Sequence, residues 1–528
     1  MFFNHFLIAT CGTWARHGTI TSNVNHFARW SSAHPLTNEQ VEEKYGQSRE
    51  QEVLLAGMLE KSHLLDLLKN YVLYQTIEGK KIKILAKHQQ YRTVLKCVER
   101  MKNEDSRYGG VIWHTQGSGK SFTMQWFAKQ AVAYKNLPIL VVTDRRQLDK
   151  QIYQTFGSVG FPNPKKAKTA GELEEFIKNP KGKTMMTTIQ KFSEINADTD
   201  QRILVLVDEA HRSNFGKDAN AMSKAIPNGI FFAFTGTPID KQDKSTYRVF
   251  GQMIDRYGFE ESKADGATIP IRYIGKLPKL FVEGDDSLDA IFDRIIGQDP
   301  DINEELKSKL KKQYVTKSDI AEAPERIKKI AFDIVQHYTE NILKDGYKAM
   351  VVAPSREAAV LYQREFVRLK APQSLIIMDQ KLGEVGKDGL SWDEFYLTDF
   401  DKRTKEEAFK RKDNPIKILI VVDMLLVGYD VPIVKVMYLD RGLHEHNLLQ
   451  AIARVNRPLD EWKQEGLIVD YSGITTEIQK ALDMFNEDDI KGAWEPDDYQ
   501  LEVLKQKYLD TMSYFKEIDK DNIFFVVF

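Results

Sequence analysis

The chain has 528 residues, 42% hydrophobic and 29% charged, with 75 Lys+Arg against 76 Asp+Glu. That length holds roughly two to four domains, and the cancelling charge excludes a globally basic coat protein while still allowing a local basic groove. Two cysteines, Cys11 and Cys97, are too few for a disulfide framework or a cysteine zinc site, and no apolar run is long enough to span a membrane. His5, Arg16 and His17 interrupt the apolar start too early for a signal peptide, so the chain reads as a soluble protein of the reducing cytoplasm.

Residues 1–35 read as strand fragments with turns. Residues 522–528, Asn-Ile-Phe-Phe-Val-Val-Phe, form an apolar run that would ordinarily be buried. Both ends are therefore expected to be cut, as in a fragment or an interrupted frame. A terminal strand pairing in a sheet is the alternative. Residues 36–80 are expected to be mostly helical, as a linker or packing layer. From 81 to 258, apolar strands at 110–114, 139–143, 184–187, 203–207 and 229–234 alternate with amphipathic helices. That alternation argues for a parallel sheet covered by helices, with ligands gathered at the carboxyl ends of its strands. Residues 259–345 break the pattern with a β-like piece at 268–282 and a charged helical stretch at 303–315. The βα pattern resumes at 349–353, 374–377, 417–422, 434–439 and 466–469, giving a second α/β domain through 475 that has no phosphate loop.

The chemistry concentrates at a few strand ends. After the apolar Gly110-Val111-Ile112-Trp113 comes His114-Thr115-Gln116-Gly117-Ser118-Gly119-Lys120-Ser121, followed by a helix-like segment at 122–134. Backbone N–H groups around Gly117, Ser118 and Gly119 would converge on phosphates at a helix N-terminus. Lys120 would reach the β- and γ-phosphates, and the Ser121 hydroxyl would hold Mg²⁺. Only a nucleoside triphosphate uses all of these groups. His114 stands where the general phosphate-loop pattern has Gly. Val205-Leu206-Val207-Asp208-Glu209-Ala210-His211 is a buried-type strand ending in two acids. There Asp208 would hold Mg²⁺, and Glu209 would deprotonate the attacking water. Thr235-Gly236-Thr237-Pro238 is either a relay across a cleft or an ordinary turn. In the second domain Gln450, Arg454 and Arg457 share a helical face. The arginines either pair with surface acids or neutralise a γ-phosphate, and the lack of a second phosphate loop favours one nucleotide shared by two domains. The turn carrying Gly428 and Asp430 could face the same cleft.

Taken in this order, the motifs resemble those of superfamily 2 helicases over about residues 85–475. Trp113 to Ser121, Val142-Thr143-Asp144-Arg145-Arg146-Gln147-Leu148-Asp149 and Asp208-Glu209-Ala210-His211-Arg212-Ser213 are similar to the motor (restriction, R) subunit of type I restriction enzymes, where His114 is a normal feature. The resemblance implies two RecA-like domains in tandem that clasp ATP and Mg²⁺ and travel on double-stranded DNA. It implies Gln90 as the adenine contact, Asp430 facing the nucleotide, and Thr143, Arg145, Thr188, Ser355 and Arg356 at the DNA backbone. Methyltransferase and specificity subunits would be the partners. Residues 1–35 resemble the close of the family's nuclease domain, and 476–528 would begin its helical C-terminal region. Glu42-Glu43-Lys44 matches the nuclease Glu-x-Lys in form but reads as a helical charge cluster, so the nuclease centre is expected to be missing. An ATP- and DNA-binding fragment without coupled translocation, or a stand-alone helicase, are the alternatives.

Overall fold

The computed structural model describes residues 4–77, 79–103, 108–143, 156–157, 165–196, 198–210, 215–236, 244–276, 321–422, 424–425, 429–443, 450–451, 453–472 and 495–496. Two seven-stranded sheets follow one another along the chain, each built from parallel neighbours.

The chain begins with an antiparallel pair, β1 (Leu7–Thr10) and β2 (Ala15–Gly18). Helices α1 (Asn38–Tyr45), α2 (Glu50–Gly57) and α3 (Lys61–Asn70) follow, and Thr37 closes a capping box with Gln40 at the start of α1. Glu42, Glu43 and Lys44 lie exposed on α1. The expected helical stretch then gives way to an antiparallel hairpin of β3 (Val72–Ile77) and β4 (Lys80–Leu85), which runs across residue 80. Its alternation of β-branched and aromatic residues with lysines has period two, which a helix cannot bury on one face.

This N-terminal layer packs against the first sheet's helices. Helix α4 (His88–Lys102) buries Tyr91, Val94, Cys97 and Met101, a spacing of three to four residues that keeps one face inward. Trp30 and Tyr71 approach Tyr91 at ring-centroid distances of 5.9 and 4.7 Å, and Tyr71 meets Trp126 of the next helix at 6.2 Å. One apolar core therefore runs from Ala15 through Trp30 and Trp126 to Phe234.

The first sheet comprises β5 (Tyr108–His114), β6 (Ile139–Thr143), β7 (Lys165–Lys166), β8 (Thr184–Thr188), β9 (Leu204–Asp208), β10 (Ile230–Thr235) and β11 (Met253–Tyr257), in the order β11-β5-β10-β9-β6-β8-β7. Strands β6, β8, β9 and β10 are buried at every position, which is why β6, β9 and β10 read as apolar runs up to their last residue. Helix α5 (Lys120–Lys135) follows β5, and α6 (Ala170–Lys178), α7 (Phe215–Ala225) and α8 (Lys244–Phe250) complete the layers. The chain stays on this domain after β11: in α9 (Phe259–Ala264), Phe259 meets the Trp113 ring edge-on at 6.3 Å.

The second sheet takes β12 (Ile271–Gly275), β13 (Lys348–Val352), β14 (Ser374–Ile377), β15 (Ile418–Val421), β16 (Val434–Leu439), β17 (Gly466–Asp470) and β18 (Glu495–Pro496), in the order β14-β15-β13-β16-β17-β12-β18. The β-like piece expected from 268 therefore joins this sheet as β12, beside β17. Helix α10 (Pro324–Asn341) starts with proline at its first turn and buries Ile327, Ile330, Ile334 and Tyr338. Helices α11 (Arg356–Arg368) and α12 (Asp399–Phe409) complete the domain. The expected helical stretch at 303–315 lies outside the described residues. No described helix is long and apolar enough to cross a membrane.

Candidate functional site

Parallel register aligns the strand ends that carry chemistry. Asp208, at the end of β9, pairs with Phe234 of β10; Thr235 pairs with Trp113 of β5; Thr143 of β6 pairs with Thr188 of β8. All five strands thus deliver their last residues to one edge of the sheet.

The phosphate loop connects β5 to α5. Gly117 and Gly119 have φ of +92° and +84°, a left-handed backbone that side chains rarely adopt. Space is also restricted: a Cβ on Gly117 would collide with Nη1 of Arg457, and one on Gly119 with Nε2 of Gln90. Lys120 begins α5 and donates Nζ to His114 O at 3.1 Å. Burial pushes its ammonium below the usual lysine range, with Glu209 and Asp208 opposing. Ser121 is half-buried one residue into the helix.

Opposite the loop, Asp208 and Glu209 are 7% and 6% exposed. Glu209 has φ of +55°, a conformation that costs roughly 1–2 kcal/mol for a residue with a Cβ. Its N–H donates to Phe234 O at 2.8 Å, and its carboxylate accepts from Gly236 N at 3.4 Å. A Cβ on Gly236 would lie 2.7 Å from Gln116 Cγ and 2.8 Å from Lys120 Nζ, so glycine lets the 235–236 turn close on the loop. Thr237 and Pro238 lie outside the described residues.

The second domain brings its basic groups to the same place. Arg454, 4% exposed, donates Nη1 to Tyr429 O at 2.9 Å and Nη2 to Gln116 Oε1 at 2.8 Å. Burial, with Arg457 beside it, pushes its guanidinium down to about 10. Arg457 is also lowered by burial, with Asp430 opposing at 3.7 Å from Nε. Gln450 is 1% exposed in the same segment. Of the turn before it, Asp430 is described and exposed, while Gly428 lies outside the described residues.

Lys120, Arg454 and Arg457 all have their charged forms disfavoured by burial. A polyanion placed among them would reverse that cost. The buried Thr115 Oγ1 and Ser118 Oγ have no hydrogen-bond partner among the described residues, which leaves loop hydroxyls for such a ligand. The donor set fits a nucleoside triphosphate and its divalent ion, to which Ser121 and Asp208 could offer oxygen ligands.

Gln90 lies against this loop. Its Nε2 donates to Ser118 O and Gly119 O, each at 3.2 Å, and its Oε1 accepts from Lys87 N at 2.8 Å. Thr143 is 1% exposed, and its Oγ1 has no partner among the described residues. Thr188 accepts from Lys191 at 3.3 Å. Arg145 lies outside the described residues. Ser355 caps α11 through Ala358 N at 3.1 Å, and Arg356 pairs with Glu384 at 2.7 Å.

Sequence reasoning missed what His114 does. Its Nε2 meets Asp255 Oδ2 and Thr93 Oγ1, each at 2.9 Å, and Asp255 also receives Arg92 at 2.9 and 3.1 Å, Lys96 at 2.7 Å and Thr93 at 2.6 Å. Burial pushes the His114 ring down, with the Asp255 hydrogen bond opposing, and Nε2 is the ring nitrogen that faces Asp255 and Thr93. For Asp255 burial acts upward, but His114 and Arg92 hold it well below the carboxylate range. The ring thus ties the strand end under the loop to α4 and β11. Only Asp255-x-Tyr257 on a strand hinted at this, since a lone acid on an apolar strand needs a partner. Gln116 was likewise missed as the loop's link to Arg454.

Comparison with known proteins shows the family to which the chain belongs. A family model described as SWI2/SNF2 ATPase matches residues 89–308, and one described as type I restriction enzyme subunit R domain 3 matches residues 384–473. The first of these matches takes in the whole first sheet and β12 of the second. A Methanocaldococcus jannaschii protein bearing the name MjaIXP type I restriction enzyme endonuclease subunit is 34% identical over 98% of this chain and 51% of its own length. The HindI endonuclease subunit of Haemophilus influenzae is 33% identical over 93% of this chain and 49% of its own. The chain belongs to the family of type I restriction enzyme R subunits, and it spans about half the length of the curated relatives it matches. Among solved structures, an HsdR fragment from Vibrio vulnificus has a TM-score of 0.50 at 17% identity, covering 91% of this chain and 78% of that one. The DNA-bound Type ISP enzyme LlaBIII has a TM-score of 0.52 at 14% identity, covering 78% of this chain and 30% of that one. These two share the fold.

Proposed function

We propose that the chain is the motor portion of its restriction subunit: an ATPase, dependent on Mg²⁺ and stimulated by DNA, that moves along double-stranded DNA. The observation that carries this reading is the buried contact between Arg454 of the second domain and Gln116 of the phosphate loop, with Arg457 against Gly117. Two domains that meet across one phosphate loop can convert the state of a nucleotide into relative motion.

ATP with Mg²⁺ supplies the phosphoryl bond whose hydrolysis drives the cycle. Gly117, Ser118, Gly119 and Lys120 cradle the phosphates, while Ser121 and Asp208 hold the ion. Glu209, turned by its left-handed backbone, orients water and takes its proton. Arg454 and Arg457 neutralise charge from the other domain, with Gln450 beside them. Gln90 lies on the adenine side, and Gly428 and Asp430 face the nucleotide. Thr143, Arg145, Thr188, Ser355 and Arg356 grip DNA phosphates, because a motor that moves through any sequence must hold the backbone rather than bases. Methyltransferase and specificity subunits supply the DNA address.

The test is ATPase of the purified chain with Mg²⁺, with and without duplex DNA. Stimulation by duplex and its loss in Lys120→Ala are expected; turnover that Lys120→Ala leaves unchanged refutes the reading. Displacement of a third strand from a triplex reports movement on DNA. Efficient separation of short duplexes instead identifies a strand-separating helicase.

A further inference from the structure

The structure carries a buried lysine that the nucleotide chemistry above does not use. Lys463 is 1% exposed. Its Nζ donates at 2.7 Å to two main-chain carbonyls, Pro432 O and Arg457 O. These belong to the two second-domain segments that approach the nucleotide site: the turn holding Asp430, and the segment ending in Arg457. Among the described residues neither segment is bonded to the other through regular secondary structure. They are joined by Arg454 Nη1 on Tyr429 O, by the 3.7 Å Arg457–Asp430 ion pair, and by Lys463.

The turn that delivers Lys463 is itself fixed. Asp460 Oδ1 accepts from Lys463 N at 3.0 Å, Trp462 N at 3.2 Å and the Tyr347 hydroxyl at 2.6 Å. An ammonium placed this deep costs desolvation, and a methionine would fill the same space without that cost. Burial with two carbonyl partners is therefore better explained by what the two bonds hold in place.

We infer that Lys463 is a positioning residue for Arg457: by bonding Pro432 O and Arg457 O together it fixes the arginine's backbone relative to the Asp430 turn, and so aims the guanidinium at the phosphate loop. This rests on the proposed role of Arg457 at the γ-phosphate. An arginine misplaced by about 1 Å loses on the order of 100-fold in rate, because its benefit depends on alignment in the transition state.

The experiment measures DNA-stimulated ATPase, affinity for a fluorescent ATP analogue, and thermal midpoint in four variants of the whole chain: Lys463→Met, Lys463→Arg, Arg457→Ala and Lys463→Met with Arg457→Ala. Lys463→Met is expected to lower kcat at least ten-fold while analogue affinity stays within two-fold. Lys463→Arg, which keeps donors on the same carbonyls, recovers most of kcat. The double variant is no slower than Arg457→Ala alone, since the lysine acts through the arginine. Wild-type kcat in Lys463→Met overturns the inference, as does an additive loss in the double variant. If Lys463→Met does not purify folded, Lys463→Gln must show the same fall in kcat at unchanged analogue affinity, and its absence overturns the inference equally. If instead Arg457→Ala leaves kcat unchanged, the reading of the nucleotide site fails rather than the role of Lys463.

Discussion

Replacing Asp255 by Asn tests the network beneath the phosphate loop. The carboxylate side chain is 1% exposed and holds His114, Arg92, Lys96 and Thr93. Removing one charge of a buried pair strands the other, at about 3–5 kcal/mol. Lys96 is 32% exposed and can return to water, while Arg92, at 15%, keeps its bond to Arg256 O. These escapes place the cost near the lower end, about 3 kcal/mol. For a domain of this size that lowers the unfolding midpoint by roughly 6–12 °C. Trp113 and Trp126 are fully buried in the same domain, so tryptophan fluorescence during thermal or urea unfolding reports it. The loss should be full at every pH above the ordinary carboxyl range. The folded carboxyl is held well below its ordinary 3.8, so its stabilisation is fully present above that value and is lost progressively as pH falls from there toward the depressed folded value. The wild type therefore converges on the variant in acid. A loss below about 1 kcal/mol at pH 7 would refute the argument, as would a loss that persists unchanged at pH 3.

Arg454→Ala should reduce DNA-stimulated kcat by roughly 10³-fold or more if it neutralises transferred phosphate charge; a change under ten-fold in steady-state turnover refutes that role. Gly117→Ala forces a side chain into a left-handed backbone and against Arg457, so analogue binding and turnover should both fall, and wild-type values in both would contradict it. Burial pushes Lys463 down to about 7, with Arg457 and Lys435 acting with it and Asp460 and Asp430 against it. The unfolded chain then binds more protons between pH 7 and 10.5, so this group's contribution to stability rises with pH across that window; Lys463→Met should flatten the rise, read as thermal midpoint against pH. His17 is pushed down to about 3, mainly by burial, so its protonation favours the unfolded chain below its ordinary 6.5; a His17→Gln variant should lose less stability between pH 7 and 5 than the wild type.

Much of the candidate site was legible because its determinants are local. A strand-turn-helix with Gly117, Gly119 and Lys120 implies a phosphate cradle wherever it occurs, and Asp208-Glu209 after an apolar strand implies an acid pair at a sheet edge. Parallel strands announce themselves as short segments dominated by apolar residues, so strands such as 139–143, 374–377 and 434–439 were read with the bounds observed. The hairpin at 72–85 was less legible, since its lysines and leucines also suit a helix and only its pairing decides between them. The share of Asp255, Gln116 and Lys463 in the site was hidden for a different reason. Asp460-Glu461-Trp462-Lys463 has the composition of a solvated turn, and Trp462 is indeed 76% exposed. One residue later Lys463 is buried, because the turn's direction is set by Asp460 and Tyr347, whose contact spans 113 positions.

The sequence by itself determined that a phosphate loop, an acid pair and two arginines exist, and that the loop and the acid pair stand at strand ends, because strand burial and glycine conformations are properties of neighbouring residues. The helical face expected to carry both arginines is not what forms: Arg454 lies in a turn and Arg457 in the irregular segment after it. Only the tertiary structure decided which of these meet: Arg454 with Gln116 across 338 positions, His114 with Asp255 across 141, and Lys463 with the carbonyls of two separate segments. Contacts at such separations depend on the order in which strands pair and on how two sheets face each other, and no local pattern in the chain encodes that.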